Sequence, residues 1–283
     1  MNERNHTPEL PAGLPSGSQM QGIRLTTRRD PSQRVLLDLP AAIGRHAIAE
    51  ETVESSQREQ SEAPWWFLSV PSGPAEEVEL LTIARAWVEP DGQADRPTQV
   101  IMFQGLQLVW TPRRVAILAS PDRMDMARRA VIESACFETE LSDLERELAV
   151  LWPDLSTDMP LAFEFNERSV RQRRNLLRRF QQILMMRARL ARLSPFVLAP
   201  HIHPPTLTTQ IGERLRERLR MTHRLEAFDV QLEVFERVYE GCGQRASEFM
   251  LARTGHTLEW IIIILLLTQT ILVSVDLMMT LGK

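Results

Sequence analysis

Residues 258–279 read LEWIIIILLLTQTILVSVDLMM, and as a helix the twenty residues from Trp260 onward would be about 30 Å long. That length matches the hydrocarbon core of a bilayer. Residues 260–267 are bulky and apolar on every side, which argues against a helix that lies on a membrane surface. The run therefore predicts one C-terminal transmembrane helix, assigned to residues 258–281. The alternative is a core helix buried inside a soluble domain.

Two polar residues inside this run indicate a contact in the membrane. Asp276 lies near its far end, where a carboxylate costs less than the roughly 3 kcal/mol of the bilayer centre. Gln269 lies seven residues earlier on the same helix face. Polar side chains on one face favour self-association in lipid. We expect Gln269 and Asp276 to form an oligomer interface, or else to meet another membrane protein.

The charges that flank the run predict its orientation. Arg245 and Arg253 precede it, whereas Lys283 alone follows it. Cytoplasmic flanks carry the excess of basic residues, so the large N-terminal part is expected in the cytoplasm. We expect a single-pass protein of the bacterial inner membrane rather than the mitochondrial inner membrane, with Trp260 at the interface.

Upstream of the run, apolar residues recur alternately three and four positions apart, as in the seam of a coiled coil. The seam residues are Leu225, Phe228, Leu232, Phe235, Tyr239, Cys242, Ala246 and Phe249. Ile211, Leu215 and Leu219 lead into this helix. Such a seam is typical of a core, but it can also join two copies. Gly241 and Gly243 each cost about 1 kcal/mol relative to alanine, so we expect a kink or register shift there.

A second helix is predicted over residues 167–193, and a Pro-rich turn at 195–205 separates it from the seam helix. The two helices would form an antiparallel hairpin. Nine arginines crowd one side of the second helix, and those proposed as a surface for an acidic partner are Arg171, Arg173, Arg174, Arg178 and Arg179. Guanidinium groups hold phosphate at two points, so RNA, the ribosome or anionic lipid are candidate partners. The alternative is pairing with acids of neighbouring helices.

The part of the chain before the hairpin predicts a small mixed α/β domain at residues 34–121. The runs that suit strands are 35–37, 65–70, 80–88, 100–103, 106–110 and 115–118, and one helix is predicted over 42–55. Residues 1–33 show no apolar period and predict a disordered arm. A long helix starts near 122 and should stop at Pro153. The fold class is therefore α+β: this domain, a helical region at 122–254 with a coiled-coil-like hairpin, and the transmembrane helix.

Composition argues against several kinds of enzyme. The chain has 32 arginines and one lysine, Lys283, so a P-loop, a kinase-like site, a Schiff-base enzyme or a Ser–Lys hydrolase lacks its lysine. Cys136 and Cys242 lie far apart and predict neither a disulfide nor a zinc site. His201 and His203 have no nearby acid or cysteine to complete a metal site. We expect no catalytic residue, cofactor, metal or small-molecule substrate.

The string LEWIIIIL at residues 258–265 closely resembles the signature of a domain family of unknown function, and Leu258, Glu259 and Trp260 carry the match. Two shorter segments agree in order, namely residues 105–110, which run from a glycine to a tryptophan, and LSDLE at 141–145. The eukaryotic members are called "required for meiotic nuclear division" proteins, and one is a mitochondrial inner-membrane protein that supports mitochondrial translation. The resemblance covers about residues 34–279.

This resemblance implies a non-enzymatic scaffold that holds a partner complex, such as the translation machinery, at a membrane as a homo-oligomer. The alternative considered is an oligomeric ion channel or transporter-like protein whose pore is lined by Gln269 and Asp276. Magnesium channels of the CorA type also join a cytoplasmic α+β domain to the membrane through a long helix. They have two membrane helices and a Gly-Met-Asn loop, whereas this chain has one candidate span and lacks that tripeptide.

Overall fold

The computed structural model describes residues 8–26, 34–41, 43–44, 46–50, 65–73, 77–89, 98–164, 169–198 and 206–281. The chain divides into two compact units. The first unit comprises residues 1–146 and 189–228, and the second comprises residues 147–188 and 229–283. The fold is mixed α/β, with a sheet in the first unit and long helices in both.

Seven strands form one sheet in the first unit. They are β1 Gln19–Thr26, β2 Val35–Asp38, β3 His46–Glu50, β4 Trp65–Pro71, β5 Gln99–Phe103, β6 Leu106–Trp110 and β7 Arg114–Ala119. Their order across the sheet is β2-β3-β1-β4-β7-β6-β5. The central pair β4 and β7 is parallel, whereas every other neighbouring pair is antiparallel.

Both faces of the sheet are covered by helices. Five helices are described: α1 Glu77–Val88, α2 Pro121–Asp158, α3 Arg173–Leu198, α4 Leu207–Arg218 and α5 Met221–Leu281. Successive side chains of a strand point to opposite faces, so Phe67 and Ile117 enter one core and Leu68 and Leu118 enter the other. The first core is closed by α2 and α4, and the second by α1.

The β5–β6 hairpin explains the glycine at the start of the 105–110 segment. Phe103 pairs with Leu106, so Gln104 and Gly105 form a two-residue turn. Their φ angles are 49° and 75°, and positive φ at both positions matches the right-handed twist of the two strands. Gly105 accepts this conformation without a steric cost.

The helical pattern read from the sequence is confirmed where it is most regular. In α2, the apolar or small residues that recur at helical spacing from Ala127 to Leu151 are buried. The seam from Leu225 to Ala246 is buried in α5, and Phe249 is half-buried. In α3, however, Leu177 and Leu184 are exposed, although the sequence placed them on the apolar side.

The second unit is built from the end of α2, the start of α3 and most of α5. The Trp152 ring of α2 meets the Phe235 ring of α5 edge-on, with 4.9 Å between their centroids. Trp152 contacts Phe235, and the later residue Asp158 contacts the later residue Tyr239. The α2 and α5 helices therefore run parallel. The α3 helix runs antiparallel to α5, because Arg187 contacts Asp229 and Glu236 whereas the earlier Arg179 contacts Asp158 beside Tyr239.

Three predictions for the first unit are wrong. Residues 19–26 of the supposed arm form β1, which lies between β3 and β4, because Ile23 on its inner face is buried by the core. Residues 46–50 form β3 rather than a helix, since pairing with β1 outweighs their local preference. Residues 80–88 lie in α1 rather than a strand, because Leu80, Ala84 and Val88 share one buried helical face.

Predicted helix ends are also corrected. The α2 helix passes through Pro153 to Asp158, and α3 contains Pro195. The α4 helix ends at Arg218, and Arg220 adopts a φ of 50° before α5 begins. His201 and His203 lie outside the described residues. The α5 helix is assigned without a break through Gly241 and Gly243.

One described helix, α5, is long and apolar enough to cross a membrane, judged by length and composition. Its apolar window is not buried against the rest of the protein. The transmembrane prediction thus agrees with the structure at this coarse level.

Gly241 and Gly243 provide a matched test of packing along α5. A Cβ on Gly241 would lie 3.3 Å from the Cβ of Ala162, whereas nothing lies within 4 Å of the same position on Gly243. We expect Gly243→Ala to raise the free energy of unfolding by about 1 kcal/mol, because alanine favours a helix. Gly241→Ala should gain less or lose stability. Equal gains in chemical denaturation would contradict the close packing at Gly241.

Candidate functional site

The C-terminal part of α5 is the largest exposed apolar feature among the described residues. Every residue from 251 to 274 is exposed, and Trp260 exposes 64 % of its surface. Leu258 is exposed as well, and the carboxylate of Glu259 lies 3.0 Å from Nδ1 of His256. Among the described side chains of α5, Ala246 is the last buried one. Apolar surface of this extent requires a cover other than the described protein.

Residues 260–279 of α5 are called the apolar segment from here on. Its polar residues differ in whether the helix itself satisfies their side chains. The hydroxyls of Thr268, Thr270 and Ser274 donate to backbone carbonyls four residues earlier, each at 2.8 Å. Among the described side chains of the segment, the exposed amide of Gln269 makes no such bond. Asp276 belongs to α5, but its side chain lies outside the described set. Gln269 is therefore the described polar group that a helix in lipid would leave unsatisfied.

The five arginines proposed as a partner surface fall into two groups. Four of them are exposed and are called the arginine surface from here on: Arg171, Arg173, Arg174 and Arg178. Within the part of the chain that the structure describes, no ion pair involves these four side chains. Arg179 instead turns inward, and its guanidinium lies 2.8 Å from Asp154 and also contacts Asp158. Pairing with neighbouring acids, the alternative considered from the sequence, is correct for Arg179.

Two further arginines of the same helix are also paired. Arg187 places its guanidinium 2.8 Å from Glu236 and also contacts Asp229. The hydrogen bond to Glu236 raises the pKa of Arg187 despite partial burial. In the first unit, Arg189 lies 3.6 Å from Glu140. The seam helix therefore contributes two acids that neutralise Arg187.

A buried polar cluster around Asp158 was not predicted. Its carboxylate accepts hydrogen bonds from Arg179 and from the Tyr239 hydroxyl at 3.3 Å, and the Cys242 thiol lies 3.6 Å from its backbone oxygen. Burial opposes the charge of Arg179, but the bond and charge of Asp158 outweigh it and raise the pKa of the guanidinium. The sequence signal is an acid one helical turn after the apolar residue Leu155, and it is visible only once α2 is continued past Pro153.

The cluster shows no activated nucleophile. Burial, and then the charge of Asp158, raise the pKa of Cys242 to about 11, and the same two causes raise the pKa of Tyr239. A cysteine reacts as its thiolate, so a raised pKa leaves Cys242 inert near neutral pH. Cys136 is buried as well. The arrangement is that of a packed structural network.

The first unit contains a second network and a concavity beside it. Arg224 donates to Glu145 at 2.7 Å, to Glu138 at 3.2 Å and to the Ser142 hydroxyl at 2.8 Å. The concavity has a volume of about 760 Å³. Its lining includes Gln99, Trp110, Glu138, Glu217, Arg220 and His223. Both signs of charge are present, and among the described residues no group of His, Cys, Asp and Glu could hold a metal ion.

Comparison with known proteins adds little to this geometry. No family model matches the chain, and no curated protein matches it. Among solved structures, the full-length CmaX protein is similar, with 12 % identity over 88 % of this chain and 82 % of that chain. The TM-score is 0.35, which is too low to identify the fold or the function of this chain. Membership of the meiotic-division family stays a prediction.

Asp154 and Asp158 form a matched pair for testing the buried cluster. Asp158 is buried, whereas the Asp154 side chain is 44 % exposed, and both contact Arg179. We expect Asp158→Ala to lower the free energy of unfolding by about 2 kcal/mol, because the partly buried Arg179 guanidinium and the buried Tyr239 hydroxyl lose their shared acceptor. Asp154→Ala should cost less than about 1 kcal/mol. Similar losses in chemical denaturation would show that burial of Asp158 is unimportant.

Proposed function

We propose that this protein is a non-enzymatic scaffold anchored in a membrane by the C-terminal part of α5. The observation that carries the proposal is the complete exposure of residues 251–274 on a helix that is packed against the protein further upstream. A core helix of a soluble protein would be covered by its own fold. A bilayer covers an apolar helix of this length on every side.

The continuity of α5 supports a tethering role. Residues 221–281 form one helix, which at 1.5 Å per residue is about 90 Å long. The same helix carries the packed seam and the apolar segment, so the second unit and the anchor share one continuous backbone. Arg245 and Arg253 precede the apolar segment. Basic residues on this flank favour an orientation in which the segment spans the bacterial inner membrane and the folded part lies in the cytoplasm. A partner complex, for which the resemblance suggests the translation machinery, would be held there.

Self-association of the scaffold would involve the apolar segment rather than the seam. Seam residues from Leu225 to Ala246 are buried within one chain, so they are not free to join two copies. Gln269 is exposed on the segment and has no internal partner among the described residues. A carboxamide in lipid is satisfied by a partner on another helix. We therefore assign the oligomer contact to Gln269 and, on the same face, Asp276.

Insertion of the segment is tested by charges placed at its centre. Ile264→Arg combined with Leu267→Arg should make the full chain extractable by alkaline carbonate, because each arginine costs about 3 kcal/mol near the bilayer centre. Leu251→Arg is the matched control, since Leu251 is an exposed apolar residue of the same helix outside the span. Extraction of the unaltered chain as readily as the double variant would contradict the anchor.

The oligomer contact is tested by comparing Gln269→Leu with Thr268→Leu in native membranes. We expect Gln269→Leu to weaken self-association by about 1 kcal/mol, or roughly fivefold, measured as the crosslinked fraction. Thr268→Leu should change it little, because the Thr268 hydroxyl is already bonded to Ile264 within the helix. Equal effects of the two substitutions would argue against an interface at Gln269.

The crosslinked material also tests the scaffold role. Purification of the full chain should recover one macromolecular complex in a constant ratio to it. An ion pore is the competing function, and it predicts ion flux into liposomes that is lost on Asp276→Ala. Such flux, with no complex recovered, would replace the scaffold by a pore. Absence of flux from a carbonate-resistant oligomer would remove the pore.

A further inference from the structure

We propose that the arginine surface binds anionic lipid headgroups of the leaflet that α5 enters. The inference rests on the proposed insertion of α5, and it adds a lipid class and a binding surface to it. All the residues concerned belong to the second unit, as does the apolar part of α5.

The connection between α2 and α3 lies at the end of the packed part of α5. Ala162 approaches Gly241 so closely that a Cβ added to the glycine would lie 3.3 Å from the Cβ of Ala162. Phe163 follows directly and exposes 73 % of its surface. The packed part of α5 ends shortly beyond, since Ala246 is the last buried residue among its described side chains. An exposed aromatic ring thus lies on the side of the unit from which the apolar segment continues.

The antiparallel course of α3 brings the arginine surface to the same end. Arg187 lies beside Asp229 and Glu236, and Arg179 reaches Asp158 beside Tyr239. Residues closer to the start of α3 therefore lie beside later residues of α5. Both helices rise 1.5 Å per residue, so one step back along α3 corresponds to about one step forward along α5. Continued to Arg173, this course reaches about the level of Ala246. The short 3-10 helix Ser169–Gln172, which carries Arg171, precedes α3.

The remaining distance to the membrane is within reach of these charges. From the level of residue 246 to Trp260 the helix rises about 20 Å at 1.5 Å per residue. The headgroup layer occupies about 5–8 Å of that distance. The remaining distance of about 12–15 Å is roughly one and a half times the Debye length of about 8–10 Å in physiological salt, and the arginine side chains extend across part of it. Helix tilt of about 20° brings one side of the unit closer still.

Charge and chemistry on this surface favour lipid over RNA. Four exposed guanidinium groups lie within eight residues, and no acid among the described residues pairs with them. The nearest acid on α5 past Ala246, Glu248, is already bonded to Arg245 and Gln244. Guanidinium holds phosphate at two points, and basic clusters beside a membrane helix bind anionic lipid. No aromatic residue lies between Arg171 and Arg178, so this surface lacks the rings on which single-stranded RNA bases would stack.

The test uses the full chain in liposomes of phosphatidylcholine alone or with 30 % phosphatidylglycerol. A fluorophore on Asn175→Cys, an exposed position of α3, reports proximity to a headgroup-attached spin label; the native cysteines are buried. We expect at least twofold stronger quenching with phosphatidylglycerol, and weaker quenching in 0.5 M salt. The variant R171Q/R173Q/R174Q/R178Q should quench as in phosphatidylcholine alone.

The matched control removes four exposed arginines from the first unit, as R129Q/R192Q/R214Q/R218Q, and should keep the full effect of phosphatidylglycerol. Equal loss in both variants, or no effect of phosphatidylglycerol on the unaltered chain, would overturn the inference. Loss of RNA binding by the first variant with unchanged quenching would overturn it in favour of a nucleic-acid surface. Alkaline carbonate extraction of the same liposomes distinguishes failure of the headgroup contact from failure of membrane insertion. Protein that resists extraction but shows no effect of phosphatidylglycerol refutes only the headgroup contact.

Discussion

The α5 helix imposes two different environments on one continuous backbone, and the rest of the structure depends on that constraint. Up to Ala246 its apolar seam is buried by the protein, while from residue 251 every described side chain is exposed. An α-helix satisfies its backbone hydrogen bonds internally, so it can pass from protein to hydrocarbon without a break. The second half therefore needs no change of backbone structure to enter the bilayer that we propose for it.

Charged residues order the packed half of α5 and its neighbours. Asp158, at the end of α2, binds Arg179 of α3 and Tyr239 of α5, so three helices converge on one carboxylate. Leaving any of these groups unpaired in a buried site is costly, which disfavours a shifted register. The aromatic contact of Trp152 with Phe235 is non-directional by comparison. The polar cluster can therefore specify the register, while the seam supplies most of the buried apolar area.

Much of the helical part could be predicted from the sequence, because a period of 3.6 is a repeated signal. The seam of α5 and the apolar side of α2 repeat it many times, so single exceptions do not hide it. The strands β1 and β3 could not be predicted, since each is short and is stabilised by pairing with a distant partner. The end of α2 could not be predicted, because an interior proline removes a helix hydrogen bond and usually ends the helix. The α2 helix nevertheless continues through Pro153 to Asp158.

The arginines of α3 show why composition and surface must be separated. Arginines of α3 pair with a neighbouring helix where Asp158 or Glu236 faces them. They are exposed to solvent where no described acid lies beside them. The excess of arginine over lysine in the composition does not explain this division. The division follows from where α2 and α5 place their acids. Because α3 begins at the end from which the apolar segment continues, the unpaired arginines lie where a phosphate-bearing leaflet would come closest.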